Sequence, residues 1–451
     1  MNKEVSIIGS GLVGSLWACY MGKRGYKVNV YEQRLDRRLH KMNGGRSINL
    51  AISHRGLRAL REVGLEQQAL DMAIPMRGRL IHHANGSTDF QHYGQEGQAI
   101  NSISRGGLNT LLIDTAEQKY GAELHFGRHC SHASVQKNVF EFTDEKGKKI
   151  PDPISPDLLF GTDGAFSSVR RSKEHTDRFN YQQYYLEHGY KELVIPSDDQ
   201  GNHRIEKNAL HIWPRKRFML IALPNLDGSF TCTLFLPFTG PDSFAYLDSP
   251  MAVSAFFSIH FSDALALMPT LEKDFATNPT SSLVTVRCYP WVYDQKIALL
   301  GDAAHAIVPF YGQGMNAGFE DCRILNNCID EQGEDWPRVL EHFQKNRKKD
   351  ADAIADFALQ NFIEMRDRVA DKQFLLRKKI ERKLHQRFPD RFIPVYSMVT
   401  FTDIAYSKAW AMKHKQEAFF KKVLEIDNIE AIWEEESTLN TIKQLMDTME
   451  I

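Results

Sequence analysis

Residues 5–14 read Val-Ser-Ile-Ile-Gly-Ser-Gly-Leu-Val-Gly, an apolar run followed by three closely spaced glycines. Gly9 permits a tight turn, Gly11 lets the backbone approach a phosphate, and Gly14 lets a following helix pack closely on the strand. Phosphates then face the helix N-terminus, where free amides and the helix dipole favour negative charge. The motif therefore predicts a strand–turn–helix unit that holds a dinucleotide.

The residues that follow support this interpretation. Lys27–Tyr31 has the pattern of a second strand, and it ends at Glu32, 18 residues past Gly14. An acidic residue at this place accepts hydrogen bonds from a ribose diol. The alternative is a glycine-rich turn without a ligand, but strand, helix, second strand and acid in register favour the binding site.

A second glycine cluster lies almost three hundred residues further on. An apolar strand, residues 297–300, leads into Gly301-Asp302, and Gly312, Gly314 and Asn316 follow. Asp302 and the glycine-lined turn can contact the remainder of a large cofactor. The two clusters together predict a bound FAD rather than a transient NAD, within an α/β fold of Rossmann type.

Bulk properties predict a soluble enzyme. A chain of 451 residues is longer than one hydrophobic core usually supports, so more than one domain is expected. Its net charge of -1 does not indicate a basic surface for nucleic acid. Six scattered cysteines predict reduced, mostly buried thiols, with neither a disulfide frame nor a metal site. A strand begins within four residues of the N-terminus, and no apolar run approaches the roughly 18–20 residues that cross a bilayer. We expect a cytoplasmic protein without a membrane contact.

The pattern along the chain divides it into three parts. Residues 1–177 with 291–330 are the predicted FAD-binding domain, which begins with a βαβ unit at 4–35 and has helices at 55–72 and after residue 105. Residues 178–290 carry alternating, aromatic-rich segments and predict an inserted, mostly antiparallel substrate sheet. Residues 331–451 predict a helical region.

Four further residues could bind a cofactor or substrate, but each also has an ordinary structural explanation. Arg105 opens a helix and can reach a cofactor, although on its own it is better explained as an exposed arginine at a helix start. Asp163 precedes Gly164 at a strand end, where it suits a cofactor turn or an ordinary turn. Arg79 and Tyr93 flank a predicted hairpin, and a guanidinium can hold a carboxylate by paired hydrogen bonds. On its own, Arg79 is better explained as a surface residue than as a ligand clamp.

The glycine motifs with Asp163-Gly164 resemble those of the single-component FAD-dependent aromatic hydroxylases. More specific segments are similar to the kynurenine 3-monooxygenase family, from about residue 4 to residue 406. These segments are Gly45-Arg46-Ser47-Ile48-Asn49-Leu50-Ala51-Ile52-Ser53-His54-Arg55-Gly56, Ile74–Arg79, Leu210–Pro214, Phe230–Phe235, Asn361–Met365 and Phe392–Phe401.

The resemblance implies particular site residues. FAD contacts would fall, besides the glycines, on Val13, Tyr31, Glu32, Gln33, Arg34, Ala51, Arg105, Asp302, Met315 and Asn316. Substrate contacts would fall on Arg79, Tyr93, Asn361 and Tyr396, with Arg79 pairing to an amino-acid carboxylate. The aromatic ring would lie against Leu210, Ile221, Thr233, Phe235 and Phe310, whose residue types allow ordinary core packing equally well.

The same resemblance implies the reaction. L-Kynurenine would be hydroxylated to 3-hydroxykynurenine with NADPH and O2 through a flavin hydroperoxide, and no side chain is needed as a catalytic acid or base. The chain has no second Gly-x-Gly-x-x-Gly, so the nicotinamide is expected to bind briefly, and NADH stays open. The alternatives are a flavin hydroxylase of another aniline or phenol, and a flavin-binding module without turnover.

The C-terminal sequence departs from part of the family. Eukaryotic members end in a hydrophobic membrane segment, whereas residues 434–451 here form a charged tail. The resemblance therefore favours the soluble, bacterial type. Residues beyond about 406 carry no recognisable motif, and the oligomeric state is not predicted.

Overall fold

A computed structural model describes residues 3–39, 49–368, 371–449 and 451. Residues 45–48 of the family-like segment lie outside the described residues. Over the described part the chain forms eighteen strands, which are β1 (Glu4–Ile8), β2 (Lys27–Tyr31), β3 (Asn49–Ile52), β4 (Ala73–Met76), β5 (Gly78–His82), β6 (Thr88–His92), β7 (Ile100–Ser104), β8 (Glu123–His125), β9 (His129–Ser134), β10 (Val139–Thr143), β11 (Leu159–Gly161), β12 (Asn180–Ile195), β13 (Ala209–Pro214), β14 (Met219–Pro224), β15 (Phe230–Pro237), β16 (Ser281–Tyr289), β17 (Val292–Tyr293) and β18 (Ile297–Leu299).

The same residues form sixteen α-helices. They are α1 (Leu12–Lys23), α2 (His54–Glu62), α3 (Glu66–Asp71), α4 (Arg105–Asp114), α5 (Ser168–Lys173), α6 (Pro250–His260), α7 (Ser262–Leu265), α8 (Leu271–Thr277), α9 (Asp302–His305), α10 (Gly314–Gln332), α11 (Trp336–Ile363), α12 (Lys372–Arg387), α13 (Val395–Phe401), α14 (Tyr406–Leu424), α15 (Ile429–Ile432) and α16 (Glu436–Met449). The helix predicted over 55–72 is two helices, because the chain turns at Gly64 with φ +76°.

The first sheet has the strand order β17-β18-β11-β1-β2-β8, and all its pairs are parallel except β17–β18. Its inner strands are buried on both faces, as parallel strands covered by helices must be. β1, α1 and β2 confirm the βαβ unit predicted for residues 4–35. The mixed α/β class with a Rossmann-like start is thus confirmed.

The second sheet has seven strands in the order β16-β12-β15-β14-β13-β5-β6. Five come from residues 180–289, but the hairpin of β5 and β6 comes from residues 78–92 and joins through a parallel pairing of β5 with β13. The boundaries drawn from the sequence do not anticipate this, because the pairing links residues far apart in the chain. The three-part division otherwise stays a prediction.

Residues 250–277 are helical, although they lie within the range 178–290 that was predicted to be an inserted, mostly antiparallel sheet. α6, α7 and α8 cover the outer face of the second sheet, where Phe257 and Phe261 pack with Trp213 and Phe230. The opposite face of the sheet meets α11 and α13 through Ile212, Phe235 and Phe357 among others. A site on this sheet therefore lies between its inner face and the helices α11 and α13.

The chain after Asn316 is helical, as predicted, and α12, α14 and α16 share a small core of their own. No helix among the described residues combines the length and the apolar character needed to cross a membrane. The six cysteines are all buried and free, as predicted; they are Cys19, Cys130, Cys232, Cys288, Cys322 and Cys328.

A chain of hydrogen bonds ties β5 to β13 on the outer face of the second sheet. His211 Nε2 lies 2.7 Å from the carbonyl oxygen of Glu206, so this nitrogen donates and Nδ1 accepts from His82 Nε2 at 2.9 Å. The other nitrogen of His82 lies 3.0 Å from the Asp263 carboxylate. This hydrogen-bonded chain requires His211 to stay neutral, because its Nδ1 can accept a hydrogen bond only while it carries no proton.

This arrangement predicts acid sensitivity. Burial lowers the pKa of His211 to about 4, below the usual value near 6.5. Between pH 6.5 and pH 4 the His211 ring is protonated in the unfolded chain but not in the folded one. The contribution of His211 to folding stability is therefore complete above pH 6.5 and is lost as the pH falls toward 4. We expect the free energy of unfolding in urea to be about 2 kcal/mol smaller at pH 5 than at pH 7.

The matched variants are His211→Gln, which should remove most of this pH dependence, and His83→Gln, which should keep it. His83 is the control because its bond to Asp89 is exposed. Equal pH dependence in wild type and His211→Gln would contradict the assignment.

Candidate active site

The first glycine cluster forms an open cradle at the carboxyl end of β1. A Cβ atom at Gly9, where φ is +102°, would lie 2.7 Å from the carbonyl oxygen of Thr162, and one at Gly14 would lie 1.9 Å from that of Gly9. At Gly11 a Cβ would meet no described atom within 4 Å. Gly9 and Gly14 are therefore required by the fold, whereas the space beside Gly11 is left for a ligand.

Glu32 closes one side of this cradle. Its Oε2 accepts from the Ser10 amide at 2.8 Å and its Oε1 from the Arg34 amide at 3.0 Å, and both residues line the adjacent cleft with Gly11. A carboxylate has about four lone-pair positions, so Glu32 keeps capacity for a ribose hydroxyl.

Tyr31 and Gln33, which the resemblance also placed at the cofactor, do not line this cleft. The Tyr31 ring instead stacks between His125 and Phe142, with centroids 4.8 Å from each. The cofactor contacts predicted at Tyr31 and Gln33 therefore stay predictions, because neither residue lines the cleft beside Gly11.

The second glycine cluster lies directly against the first. A Cβ at Gly301, where φ is +58°, would lie 2.9 Å from Val13 Cγ2, so the two turns touch through Val13. Asp302 opens α9 with a solvent-accessible side chain. Partial removal of its carboxyl from water raises the pKa of Asp302, and the nearby His305 and Arg105 partly offset this effect.

α10 begins at the end of the same turn. Its first amides, on Gly314, Met315 and Asn316, have no acceptor within the helix, so its positive end is available to a polar ligand. The Asn316 side chain is not, because Oδ1 accepts from the Ser53 amide at 2.9 Å and Nδ2 donates to the carbonyls of Ala51 and Gly312. A cofactor contact from Asn316 must therefore use its backbone, and Ala51 is held beside the same turn.

Arg105 is available to a ligand, whereas Asp163 already forms a hydrogen bond within the fold. Arg105 is exposed and lines the cleft next to Gly11, where a cation can meet phosphate. Asp163 Oδ2 accepts from the Ser168 amide at 2.7 Å, which caps the N-terminus of α5. Its Oδ1 is buried and has no hydrogen-bond partner among the described residues, so one acceptor remains unused.

This arrangement fits FAD. The open Gly11 turn and the free amides at the start of α1 suit the pyrophosphate, Glu32 suits a ribose, and the N-terminus of α10 suits the polar edge of a flavin ring. Arg105 and Asp302 add one accessible charge of each sign.

Arg79 forms the centre of a second cluster, on the inner face of the other sheet. The residue is 8% exposed, and its Nε has no hydrogen-bond partner within the part of the chain that is described. Its ion pair with Glu364 is long, with 3.8 Å between Nη1 of Arg79 and Oε1 of Glu364. Burial lowers the pKa of this guanidinium, but Tyr93, Tyr396 and Glu364 raise it overall, so Arg79 remains a cation.

Three tyrosines surround this cation. The Arg79 guanidinium carbon lies 5.4 Å from the ring centre of Tyr93 and 5.1 Å from that of Tyr396. Tyr396 stacks on Tyr93 at 5.3 Å and on Tyr311 at 5.5 Å. A buried cation beside aromatic faces, whose ion pair with Glu364 is too long for a hydrogen bond, is suited to receive an anionic group from outside the chain.

The predicted ring-binding residues lie beside this clamp. Ile221 pairs with Thr233 across β14 and β15, Leu210 lies opposite Arg79 in the β5–β13 pairing, and the ring of Phe235 is 4.8 Å from that of Phe310. Asn361 Nδ2 donates to the Phe310 carbonyl at 2.6 Å, so a backbone bond already explains its burial. The structure brings all nine predicted substrate residues to one face of the sheet.

Two residues of this cluster were not selected from the sequence. Tyr311 lies inside the quoted second glycine motif, yet nothing in the motif indicates that its ring stacks on Tyr396. Glu364 follows α11 directly and approaches Arg79. Both contacts join segments far apart in the chain, so no local pattern could have indicated them.

Comparison with known proteins agrees with this geometry. A family described as FAD binding domain matches residues 2–218 and 269–358. Kynurenine 3-monooxygenase of Flavobacterium psychrophilum is 48% identical over 448 residues, 99% of each chain. Kynurenine 3-monooxygenase of Flavobacterium johnsoniae is 48% identical over 445 residues, 98% of each chain. The tetrameric form of 2-methyl-3-hydroxypyridine-5-carboxylic acid oxygenase covers 85% of this chain and 97% of its own at a TM-score of 0.63, and its 20% identity shows a shared fold alone.

The FAD cradle and the separate apolar cluster, together with these similarities, define the chain as a flavoprotein monooxygenase with FAD as its cofactor. It belongs to the kynurenine 3-monooxygenase family.

Proposed function

We propose that the protein hydroxylates L-kynurenine to 3-hydroxy-L-kynurenine, with NADPH and O2 as co-substrates. The observation that carries this proposal is the buried Arg79 cation, whose Nε has no hydrogen-bond partner among the described residues and which lies beside an apolar cluster. Kynurenine has the matching chemistry, since an amino-acid carboxylate is attached to an aromatic ring. The substrate named for the full-length relatives is the same.

In this proposal Arg79 and the hydroxyl of Tyr93 bind the carboxylate, and Tyr396 covers the guanidinium. Leu210, Ile221, Thr233, Phe235 and Phe310 hold the aromatic ring by apolar contact and exclude water. Excluding water suppresses wasteful oxidation of the reduced cofactor. Asn361 fixes the Phe310 backbone and thereby the end of the ring pocket.

FAD, when bound, supplies the transfer of one oxygen atom to the ring. The chain's contribution is to hold it. The Gly9–Gly14 turn, Glu32 and Arg105 bind its diphosphate and ribose, and Asp302 with the N-terminus of α10 binds the flavin half. With no second Gly-x-Gly-x-x-Gly in the sequence, NADPH is proposed to bind transiently near the flavin rather than in a domain of its own.

The test is NADPH oxidation by the purified holoenzyme, with and without L-kynurenine, and mass spectrometry of the product. The proposal expects stimulated oxidation and a product one oxygen atom heavier. Kynuramine, which keeps the ring and lacks the carboxylate, is the matched control and should stimulate poorly. Stimulated oxidation without that product would indicate that the substrate is another aniline or phenol. If the protein contains flavin but does not oxidise NADPH, it is a flavin-binding module without turnover.

A further inference from the structure

Arg55 lies at the second position of α2, outside both clusters described above. Its side chain is 1% exposed and uses most of its donors on one segment. Nε donates to the Val399 carbonyl at 3.0 Å, and one terminal nitrogen donates to the carbonyls of Met398 and Ile404. A single buried guanidinium therefore binds three carbonyl groups between residues 398 and 404.

Two of these acceptors belong to the end of a helix. α13 covers residues 395–401, and the last four carbonyls of a helix have no partner within it. Met398 and Val399 are among these four. A cation at this position also opposes the negative end of the helix dipole. Arg55 thus closes the C-terminus of α13 with a forked, charged donor.

α13 carries Tyr396 one residue after its start. The ring of Tyr396 stacks on Tyr93 and Tyr311 and lies 5.1 Å from the Arg79 guanidinium carbon. The helix has only seven residues, so a shift or rotation at its C-terminus displaces this ring. The contacts of Arg55 therefore determine where Tyr396 lies relative to Arg79.

Arg55 is itself held in place. Its Nη1 donates to Oε1 of Glu320 at 2.5 Å, and its guanidinium carbon lies 4.0 Å from the centre of the Tyr406 ring. Burial would raise the pKa of the Glu320 carboxyl, but Arg347 and Arg55 lower it overall, so the carboxylate stays charged. Arg347 extends this network to Asp321 at 2.9 Å.

The network ends at the cofactor turn. Asp321 Oδ2 accepts from the Gly301 amide at 3.0 Å, next to Asp302. A continuous set of buried charges thus joins the turn beside the cofactor to the C-terminus of α13. Such groups reinforce one another in a low-dielectric interior when every member is paired.

We propose that Arg55 is a positioning residue for the substrate site, which holds Tyr396 over Arg79 without touching substrate or cofactor. The inference rests on the proposed function, because it treats Arg79 and Tyr396 as the carboxylate clamp. It assigns a role to the His54–Gly56 part of the family-like segment and to residues 398–404, which carry no ligand-binding group of their own.

The experiment compares wild type with Arg55→Lys as holoenzymes. Lysine keeps the charge but cannot reach three carbonyls and Glu320 at once. We expect the KM and the dissociation constant for L-kynurenine, the latter from the flavin absorbance change, to rise about tenfold. The kcat and the FAD content should stay unchanged. Hydrogen exchange should become faster in residues 395–404 and stay unchanged in α16.

Arg58→Gln is the matched control, because Arg58 lies one turn along α2 and pairs with Asp403 at the surface of the same loop. Its KM should change by less than about twofold. If Arg55→Lys does not fold, Glu320→Gln is the second test. Glutamine keeps an acceptor for Arg55 but removes the negative charge that holds its guanidinium. This variant should also raise the KM for L-kynurenine and leave kcat unchanged.

Unchanged KM and unchanged exchange in residues 395–404 would overturn the proposal, as would a loss of kcat or of FAD without a rise in KM. Failure of both variants to fold would assign the network to stability alone and overturn it as well. Wild type that does not respond to L-kynurenine would instead refute the proposed function, while faster exchange in residues 395–404 of Arg55→Lys would still show that Arg55 holds α13.

Discussion

Replacing Arg79 by alanine should raise the KM for L-kynurenine by about a hundredfold, because it removes a buried charge partner of the substrate carboxylate. FAD should remain bound, since Arg79 lies on the second sheet and does not line the cofactor cleft. The kcat at saturating substrate should fall far less than kcat/KM. Steady-state kinetics together with the flavin content of the purified variant measure both effects.

Two companion variants sharpen this result. Arg77→Ala removes an exposed arginine two residues earlier and should leave KM unchanged. The KM of Arg79→Lys should lie between those of wild type and Arg79→Ala, because an ammonium group cannot bind a carboxylate through two parallel hydrogen bonds. An unchanged KM in Arg79→Ala would remove the clamp. Loss of FAD from the same variant would show that the substitution disturbs the fold instead.

The second large effect is expected at Gly11. Gly11→Val should give a folded but colourless protein, because the added side chain enters the open space of the cradle without meeting any described atom of the chain. The backbone at Gly11 has φ -66°, which any residue adopts, so no strain is added. The measurements are the flavin absorbance per chain and the thermal unfolding of the apoprotein beside wild-type apoprotein.

Gly14→Ala is the contrasting variant. Its Cβ would lie 1.9 Å from the Gly9 carbonyl oxygen, so it should lower the stability of the apoprotein as well as FAD binding. A yellow Gly11→Val protein with normal flavin content would refute the pyrophosphate assignment. A Gly11→Val apoprotein that is as unstable as Gly14→Ala would show that the cradle is required by the fold alone.

The features that sequence reasoning predicted are those with local causes. The turn after β1 needs glycine at particular positions, and strand, helix and second strand follow within about thirty residues. The turn at Gly301 has the same local character. The resemblance supplied the substrate residues, and the structure brings Arg79, Tyr93 and Tyr396 together, although their roles remain proposals.

Side-chain direction and distant partners lay outside what the sequence could indicate. Tyr31 and Gln33 do not line the cleft beside Gly11, and the Asn316 side chain is hydrogen-bonded to Ser53, Ala51 and Gly312, so the cofactor contacts predicted at these residues stay predictions. Residues 250–277 are helices because their apolar side chains pack against the outer face of the second sheet. The pattern of apolar residues along a segment does not specify which part of the fold the segment will pack against.

The sequence by itself determined the class of fold and the FAD cradle, because a glycine-controlled turn and its flanking elements depend on residues near one another in the chain. Only the tertiary structure decided that β5 pairs with β13, that Tyr311 stacks on Tyr396, and that Arg55 closes α13. Each of these contacts joins segments that only the packed fold brings together. The energy that selects them comes from burial and from pairing buried polar groups, which no local pattern contains.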